Sequence, residues 1–194
     1  LPDDVPVLLF VGRIQPLKGP DVAVRTLARL HCSDALLVIV GGASGLEGDR
    51  EMERLQDLID QLGVAERVRF VPPQPHHILS TYYRAASVVL VPSRSESFGL
   101  VALEASACGV PVVASGVGGL LTLVDHGDSG FLVADRDPAR FAAHVDALIA
   151  DPHLATQMGE RGASRAQRYR WSLAAARLRR VYSDLRVRDL VACG

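Results

Sequence analysis

Short, unbroken apolar runs recur along the chain, separated by segments whose apolar residues follow helical spacing. The apolar runs predict buried strands over residues 5–11, 35–40, 87–91, 110–114 and 131–133, and a further strand is predicted over residues 68–71. The helical spacing predicts helices over residues 22–31, 51–62, 78–86, 98–108, 138–150, 152–168 and 171–190. Because strands alternate with helices, we expect an α/β domain with a parallel sheet, helices on both faces and right-handed crossovers.

Residues that start or stop helices set the expected boundaries. Asp21 is a candidate N-cap for the first helix, and Ser97 is one for the helix over residues 98–108. Gly109 suits the left-handed position after that second helix, and Pro111 prevents its continuation. The helix over residues 98–108 is apolar almost all round, so we expect it to be buried.

The stretch from Pro92 to Pro111 joins a strand, a loop, a helix and a second strand, with Gly99 in the first helical turn. The N–H groups of such a turn lack intrahelical acceptors and the helix dipole adds positive potential, so this helix start can bind an anion. Glu96 and Glu104 flank it, and a helical phase extended back to Glu96 would place both on roughly one side. Amides for phosphate beside carboxylates for hydroxyls suit a phosphorylated sugar.

The two glutamates also have an ordinary explanation. Pairs at this spacing arise by chance on many helices, where their carboxylates are solvated. The apolar surroundings favour a functional explanation for Glu104, because a carboxylate in a buried helix needs a partner or a ligand.

A second group of charges lies at the end of the first strand. In the loop over residues 12–20, Arg13 follows the strand and Lys18 precedes the next helix. Lys18 is the only lysine among the 21 lysine and arginine residues, and lysine is a compact charge that often binds phosphate. The alternative is a residue retained by chance. Ligands of open α/β sheets bind beyond the carboxyl ends of the strands, so we expect both cations to meet a diphosphate.

Three further loops follow strands. The glycine-rich loop over residues 41–45 lacks the G-x-G-x-x-G spacing, and it is either a backbone approach to a ligand or a flexible turn. The proline-rich residues 72–75 can frame the edge of a base, and residues 115–119 offer further backbone donors beside a sugar. His76 and His77 are expected to be a solvated helix start rather than metal ligands.

The length, composition and net charge of the chain restrict the class of protein. The chain has 194 residues, enough for a single domain over residues 1–194, and 48% of them are hydrophobic. A net charge of −1 gives no electrostatic reason to expect nucleic acid or an acidic membrane as a partner. No apolar run approaches the roughly 20 residues of a membrane span, and no signal peptide is visible. Cys32, Cys108 and Cys193 fit neither a disulfide framework nor a metal site, which favours the reducing cytoplasm.

Taken together, the motifs resemble the carboxyl-terminal half of a GT-B, family 4 retaining glycosyltransferase. The resemblance covers essentially the whole chain and rests on three segments: Gly12-Arg13 with Lys18-Gly19, Glu96 to Glu104, and Gly109 to Ser115 leading to Gly118-Gly119. Residues 10–18 and 71–74 are most similar to the D-inositol 3-phosphate glycosyltransferase subfamily of mycothiol biosynthesis. The resemblance implies a Rossmann-like domain, one of the two that form a GT-B enzyme.

The resemblance also implies a role for each candidate site residue. Arg13 and Lys18 would bind the donor diphosphate and stabilise the departing UDP, and Glu96 would contact the donor sugar; these three are the expected catalytic residues. Glu104 would accept both ribose hydroxyls, and the segment ending at Gln74 would hold uracil. The other expected substrate-binding positions lie in the first loop and at the helix start: Gly12, Phe98, Gly99, Leu100 and Val101. No metal is expected, and no cofactor besides the UDP-sugar substrate.

The implied reaction needs a second domain. A GT-B enzyme has an amino-terminal Rossmann-like domain that carries the acceptor site, so we expect a fragment that binds the donor nucleotide-sugar and is inactive alone. The last helix, over about residues 171–190, would pack on that absent domain. The implied reaction transfers N-acetylglucosamine from UDP-N-acetylglucosamine to an acceptor such as inositol phosphate. Two alternatives remain, a GT-B sugar-nucleotide epimerase and a non-catalytic module that binds a nucleotide or a partner protein. Nothing in the sequence predicts an oligomeric state.

Overall fold

The computed structural model describes residues 5–191 and arranges their six strands in one parallel sheet. The strands are β1 (Val7–Val11), β2 (Leu36–Val40), β3 (Val68–Val71), β4 (Val88–Val91), β5 (Val112–Ser115) and β6 (Gly130–Val133). Their order across the sheet is β3-β2-β1-β4-β5-β6, and every neighbouring pair is parallel. The predicted parallel sheet is confirmed, with strand ends shifted by one or two residues.

Five helices connect the strands, and three more follow β6. They are α1 (Pro20–Leu27), α2 (Gly45–Gln61), α3 (His76–Ala85), α4 (Leu100–Ala107), α5 (Leu120–Leu123), α6 (Pro138–Ala150), α7 (Pro152–Ala166) and α8 (Trp171–Val191). Single 3₁₀ turns cover Ala65–Arg67 and Gln167–Tyr169. The short α5 was not predicted, and α2 begins six residues before its predicted start at residue 51.

Two hydrophobic cores lie on opposite faces of the sheet. Successive side chains of β1 alternate between them: Leu8 and Phe10 join the core under α1, α2, α6 and α7, while Val7 and Leu9 join the core under α3, α4 and α5. A strand with both faces buried must be apolar at every position, which explains the unbroken apolar runs. The predicted cover of helices on both faces is therefore confirmed.

Neither predicted N-cap is correct, because glycines in the left-handed conformation start both helices. Gly19, with φ of 71°, is the N-cap of α1, and Asp21 lies within its first turn. Gly99, with φ of 98°, is the N-cap of α4, which begins at Leu100 rather than near residue 98. A left-handed residue breaks the helical phase. Glu96 consequently lies outside the helix, and the expectation that a continuous phase aligns it with Glu104 fails.

The prediction that the α4 helix is buried holds for one side only. Ala102 and Ala105 are fully buried, whereas the side of α4 that carries Leu100 is open, with 57% of that residue exposed. The small residues face the sheet and α7, because alanine and glycine allow close packing there, as at Gly159, where an added Cβ would overlap the Gly109 carbonyl.

The last helix lies on the outside of the domain. Over residues 171–185 every side chain of α8 is exposed, including the large apolar ones: Trp171, Leu173, Leu178, Val181, Tyr182 and Leu185. Within residues 5–191, no helix combines the length and the apolar character that crossing a membrane requires.

Candidate functional site

The centre of the sheet defines where a ligand can bind. β1 and β4 are neighbours, and the strand order runs outward from them in opposite directions, to β2 and β3 on one side and to β5 and β6 on the other. Loops that leave the carboxyl ends of two such strands diverge and form a crevice at the sheet edge. The loop after β1 carries Arg13 and Lys18, and the loop after β4 carries Glu96. The topology thus brings all three predicted catalytic residues to one edge.

Lys18 and Glu96 form an ion pair across the two loops. The Lys18 Nζ lies 2.7 Å from the Glu96 Oε2, and the side chains are 25% and 16% exposed. The Ser93 Oγ lies 3.5 Å from the same carboxylate oxygen. An ion pair so shielded from water fixes the orientation of both charged groups more firmly than a surface pair would.

The same two loops are also joined by hydrogen bonds from Arg94 to backbone carbonyls of the Lys18 loop. The Arg94 N–H donates to the Leu17 carbonyl at 2.8 Å, and the Arg94 Nε–H donates to the Pro16 carbonyl at 3.2 Å. The Arg136 Nε–H donates to the Pro92 carbonyl at 2.8 Å, and this carbonyl packs closely on Gly19, on the other side of Lys18. Lys18 is therefore flanked by hydrogen-bonded residues on one side and by a closely packed glycine on the other.

Arg13 lies in a different part of the edge, beside the loop after β2. The Gly12 N–H donates to the Val40 carbonyl and the Ile14 N–H to the Gly42 carbonyl, each at 3.0 Å. The loops pack backbone to backbone, since a Cβ on Gly41 would overlap the Gly12 carbonyl oxygen. Arg13 itself is exposed and forms no ion pair within the part of the chain that the structure describes.

A cleft of about 340 Å³ opens between the loops after β1, β2 and β3. Gly12, Arg13 and Gln74 line it together with the glycine-rich loop 41–44 and Pro73. The Gln74 Nε2–H₂ donates to the Pro72 carbonyl at 2.9 Å, which holds its side chain against the proline-rich turn. The structure favours the first of the two interpretations of the glycine-rich loop, a backbone approach to a ligand, because the loop backbone forms one wall of the cleft.

Glu104 is held by a tyrosine of the neighbouring helix α3. The Tyr83 hydroxyl donates to the Glu104 Oε2 at 2.8 Å, and the His76 Nδ1 lies 3.5 Å from the Glu104 Oε1. Burial and the adjacent carboxylate raise the pKa of Tyr83 far above its usual value, so this hydroxyl keeps its proton and acts as a donor. Glu104 therefore has, through its Oε2, the hydrogen-bond partner that its position demands.

The start of α4 lies between these groups. The N–H groups of Leu100 and Val101 belong to the first turn, where intrahelical acceptors are lacking, and Gly99 precedes them. Phe98 packs edge-on against Tyr169, with ring centroids 5.8 Å apart. The α4 start is thus a donor-rich, positively polarised end next to the Lys18–Glu96 pair.

The loop after β5 packs against the backbone of Glu96. The Gly119 N–H donates to the Glu96 carbonyl at 2.9 Å, and a Cβ on Gly118 would overlap that same oxygen. This role differs from the predicted one of donating to a sugar, because the Gly119 amide is already used within the protein.

No group of three or more histidine, cysteine, aspartate or glutamate side chains within residues 5–191 could hold a metal ion. His76 and His77 are exposed at the start of α3. That the reaction needs no metal stays a prediction.

Comparison with known proteins identifies the family. The sequence model described as "Glycosyl transferases group 1" matches residues 1–165, most of the chain. The chain belongs to this family. The charged loops at the sheet edge and the start of α4 are therefore parts of a group 1 glycosyl transferase domain.

Curated relatives of this group 1 glycosyl transferase share about half of its residues. It is 49% identical over 185 residues to a D-inositol 3-phosphate glycosyltransferase of Frankia alni, an alignment that covers 92% of this chain and 45% of the relative. It is 50% identical over 190 residues to a protein of the same name from Acidothermus cellulolyticus, with 95% and 42% covered. The chain spans about half the length of the curated relatives it matches.

Solved structures agree with the fold. Sucrose-phosphate synthase (tll1590) from Thermosynechococcus elongatus superimposes with a TM-score of 0.90 at 37% identity, covering 96% of this chain and 47% of that one. Anabaena Alr3699/HepE in complex with UDP and glucose superimposes with a TM-score of 0.88 at 27% identity, covering 93% and 49%. This group 1 glycosyl transferase chain is accordingly one Rossmann-like domain of the GT-B architecture.

Sequence reasoning missed the residues that hold the site together. None of Tyr83, Ser93 and Arg136 is among the site residues predicted from the sequence. Ser93 had a local signal, since it lies three residues before Glu96. Arg136 had none, because its acceptor on Pro92 is 44 residues away in the chain.

Proposed function

We propose that this chain is the donor-binding half of a retaining glycosyltransferase that transfers N-acetylglucosamine from UDP-N-acetylglucosamine to an inositol phosphate. The observation that carries the proposal is the Lys18–Glu96 pair, with 2.7 Å between Nζ and Oε2, at the edge where β1, β4 and the α4 start meet. A cation, a carboxylate and free helix amides are together there, and a sugar diphosphate needs all three.

The diphosphate would lie against positive groups. Lys18, Arg13 and the first-turn amides of α4 carry full or partial positive charge, and negative charge grows on the departing UDP as its bond to the sugar breaks. Donors that are already in place stabilise the transition state more than the ground state, which is the requirement for catalysis. We expect the departing phosphate itself to assist the acceptor, so that this half needs no separate base.

The two ends of the nucleotide-sugar would be held by different groups. Glu96, oriented by Lys18 and Ser93, would accept hydroxyls of the donor sugar together with the Phe98-Gly99 backbone. Glu104, oriented by Tyr83, would accept the ribose hydroxyls. The cleft beside Gln74 would hold uracil. HepE, which has a similar fold and is 27% identical to this chain, was solved in complex with UDP. That complex supports a uridine nucleotide as the ligand of this sheet edge.

The acceptor would bind to a second domain. The names of the curated relatives support inositol phosphate as the acceptor, and the relatives are about twice as long as this chain. We infer that an amino-terminal half supplies the acceptor site, and that the exposed apolar side of α8 packs on it. No metal or further cofactor takes part in this proposal.

Titration calorimetry of the chain with UDP, UDP-N-acetylglucosamine and NAD tests donor binding. Lys18→Met and Glu104→Gln are each expected to weaken UDP binding by roughly 1–3 kcal/mol, the cost of losing a charge-assisted hydrogen bond. Glu66→Gln, an exposed carboxylate on the 3₁₀ turn before β3, is the matched control and is expected to bind UDP like the unmodified chain. Unchanged UDP binding by both site variants, or preferred binding of NAD, would contradict the site assignment.

The reaction itself is tested on the longer protein. Incubation with UDP-N-acetylglucosamine and inositol 3-phosphate is expected to yield a glycosylated inositol phosphate whose anomeric configuration, read by NMR, matches that of the donor. Formation of an epimerised sugar nucleotide instead would identify an epimerase. Donor binding without any turnover would identify a binding module.

A further inference from the structure

Arg136 has an unusual backbone conformation. Within residues 5–191 it is the only residue other than glycine with a positive φ, at 56°. The left-handed region is unfavourable for a residue that carries a Cβ. Such a conformation persists where side-chain contacts over-determine it. The contacts of the Arg136 side chain are therefore the place to find the reason.

The Arg136 guanidinium is wedged between the two loops that carry Lys18 and Glu96. Its Nε–H donates to the carbonyl of Pro92, the residue that follows β4 and leads to Ser93 and Glu96. Its Nη2 packs on Gly19, where an added Cβ would lie only 2.6 Å from that nitrogen. An added Cβ at position 19 would also overlap the Pro92 carbonyl oxygen, so Gly19, Pro92 and Arg136 form one closely packed contact.

The electrostatics of this contact do not favour the charge. The Arg136 side chain is 15% exposed, and its Nη2 finds no hydrogen-bond acceptor among the residues that the structure describes. The nearest carboxylate oxygen, the Asp21 Oδ1, is 4.0 Å away. Burial lowers the pKa of Arg136, the neighbouring Arg94 lowers it further, and Asp21 opposes both. A simple stability role would be served better by an uncharged side chain.

We propose that Arg136 is a positioning residue that fastens the Lys18 loop to the Glu96 loop and so sets the place of the Lys18 ammonium for the donor diphosphate. This inference rests on the proposed function. Lys18 lies between two fixed points. Arg94 is hydrogen-bonded to the carbonyls of Pro16 and Leu17, and Arg136, hydrogen-bonded to Pro92, packs against Gly19. Without the Arg136 contact, the segment that carries Lys18 would move relative to the Glu96 loop. The Lys18 ammonium would then lose its alignment with the Glu96 carboxylate.

A positioning role for Arg136 predicts an effect on diphosphate binding that a general structural role does not. Arg136→Gln and Arg136→Lys are expected to weaken binding of UDP while leaving binding of uridine unchanged, because only the diphosphate contacts Lys18. We expect the UDP-to-uridine affinity ratio to fall roughly tenfold for the glutamine variant and less for lysine, which restores a charged donor. In the Lys18→Met background, Arg136→Gln is expected to have no further effect on UDP affinity.

Arg67 provides a matched control. Its guanidinium also donates to backbone carbonyl oxygens of a distant loop, at 3.1 Å for Ser33 and 3.5 Å for Cys32, on a side of the domain away from the crevice. Arg67→Gln is expected to lower the unfolding midpoint without changing the UDP-to-uridine ratio. An equal change of that ratio in Arg67→Gln and Arg136→Gln would overturn the positioning role, as would additive effects of the Arg136 and Lys18 substitutions.

Hydrogen exchange tests the fastening independently of any ligand. Arg136→Gln is expected to speed amide exchange in residues 17–19 and 93–96 while residues 7–11 of β1 keep their protection. Unchanged exchange in both loops would overturn the inference. If the unmodified chain binds no UDP, the proposed function fails, and the exchange measurement alone then decides whether Arg136 joins the loops. Should the glutamine variant not fold, Arg136→Lys carries the same measurements.

Discussion

The contact between Tyr83 and Glu104 shows how a core residue can prepare a site residue. Tyr83 packs in the core of α3 and the sheet, and its hydroxyl reaches one oxygen of Glu104 on α4. A carboxylate that accepts a hydrogen bond from a rigid donor loses less side-chain entropy when a ligand arrives. The tyrosine is therefore expected to contribute both to folding and to nucleotide affinity.

Tyr83→Phe separates these contributions. Loss of the hydroxyl leaves the Glu104 Oε2 without its donor, so we expect the free energy of unfolding to fall by about 1 kcal/mol and UDP binding to weaken several-fold. Denaturant unfolding and calorimetry measure the two effects. Tyr82→Phe, at the adjacent and half-buried position, is the control and should change neither quantity. A stability loss in Tyr83→Phe without weaker UDP binding would show that the hydroxyl does not prepare Glu104 for the nucleotide.

Gly99 and Gly63 provide a second comparison of single residues. Both have a positive φ, 98° and 67°, but a Cβ on Gly99 would lie 2.9 Å from the Leu120 Cδ2, whereas Gly63 has open space around it. Gly63→Ala is expected to cost about 1 kcal/mol from the backbone alone. Gly99→Ala should cost more and should also weaken UDP binding, because the α4 amides move. Equal stability losses in the two variants, measured by thermal unfolding, would rule out the crowding at Gly99.

At the scale of elements, the strands and the starts of α6, α7 and α8 were predictable, whereas the starts of α1 and α4 were not. The central strands β1, β2, β4 and β5 are buried on both faces, so consecutive apolar residues mark their positions in the sequence. Asp21 and Ser97 are favourable N-caps by residue type, yet the left-handed glycines two residues away in each case start the helices. Those glycines are required by close contacts with Pro92 and Leu120, which lie far away in sequence. A local pattern cannot contain such a contact.

The same limit applies to the site. Lys18 and Glu96 could be predicted to meet because the carboxyl ends of parallel strands share an edge. Their ion pair, the hydrogen bond from Tyr83 and the wedge of Arg136 depend on which loops become neighbours and at what distance. Residue type and spacing predicted the charged groups of the crevice, whereas tertiary contacts determine how each is oriented.

Helix α2 contains a carboxylate whose ionisation opposes folding. Glu51 is 9% exposed in its side chain, and its pKa is raised by burial and by Asp21, against the opposing effect of Arg54 at 3.7 Å. The folded state therefore holds the Glu51 proton more tightly than the unfolded state does. As the pH rises above the usual value of 4.5, the unfolded chain releases this proton first, and the contribution of Glu51 to stability falls.

Glu51→Gln is accordingly expected to raise the unfolding midpoint at pH 7, with the gain shrinking as the pH is lowered toward 4. Thermal unfolding across that range checks the sign and the window. Glu53→Gln, an exposed glutamate on the same helix, should show no such pH-dependent gain. A loss of stability in Glu51→Gln at pH 7 would mean that the attraction to Arg54 outweighs burial.

At the scale of the whole molecule, the position of the crevice and the exposure of α8 point in one direction. The charged loops lie at an open edge of the sheet, and a helix with an apolar side extends from the end of the domain. Leu178, Val181, Tyr182 and Leu185 follow helical spacing and form one stripe on α8. An exposed apolar stripe of this kind marks an interaction surface. The proposed amino-terminal half is the partner that would both cover the stripe and close the crevice.

The double variant Leu178→Ser with Leu185→Ser tests this arrangement. In the present chain both side chains are already exposed, so the unfolding midpoint is expected to change little, as is usual for surface substitutions. In the longer protein the same side chains would be buried against the other half, and their truncation should cost roughly 2 kcal/mol or more per residue and reduce transfer activity. Arg180→Ser, on the opposite side of α8, is the control that should leave both proteins unchanged. A longer protein that tolerates the double variant as well as it tolerates Arg180→Ser would place α8 outside the contact between the halves, and the apolar stripe would then need another partner.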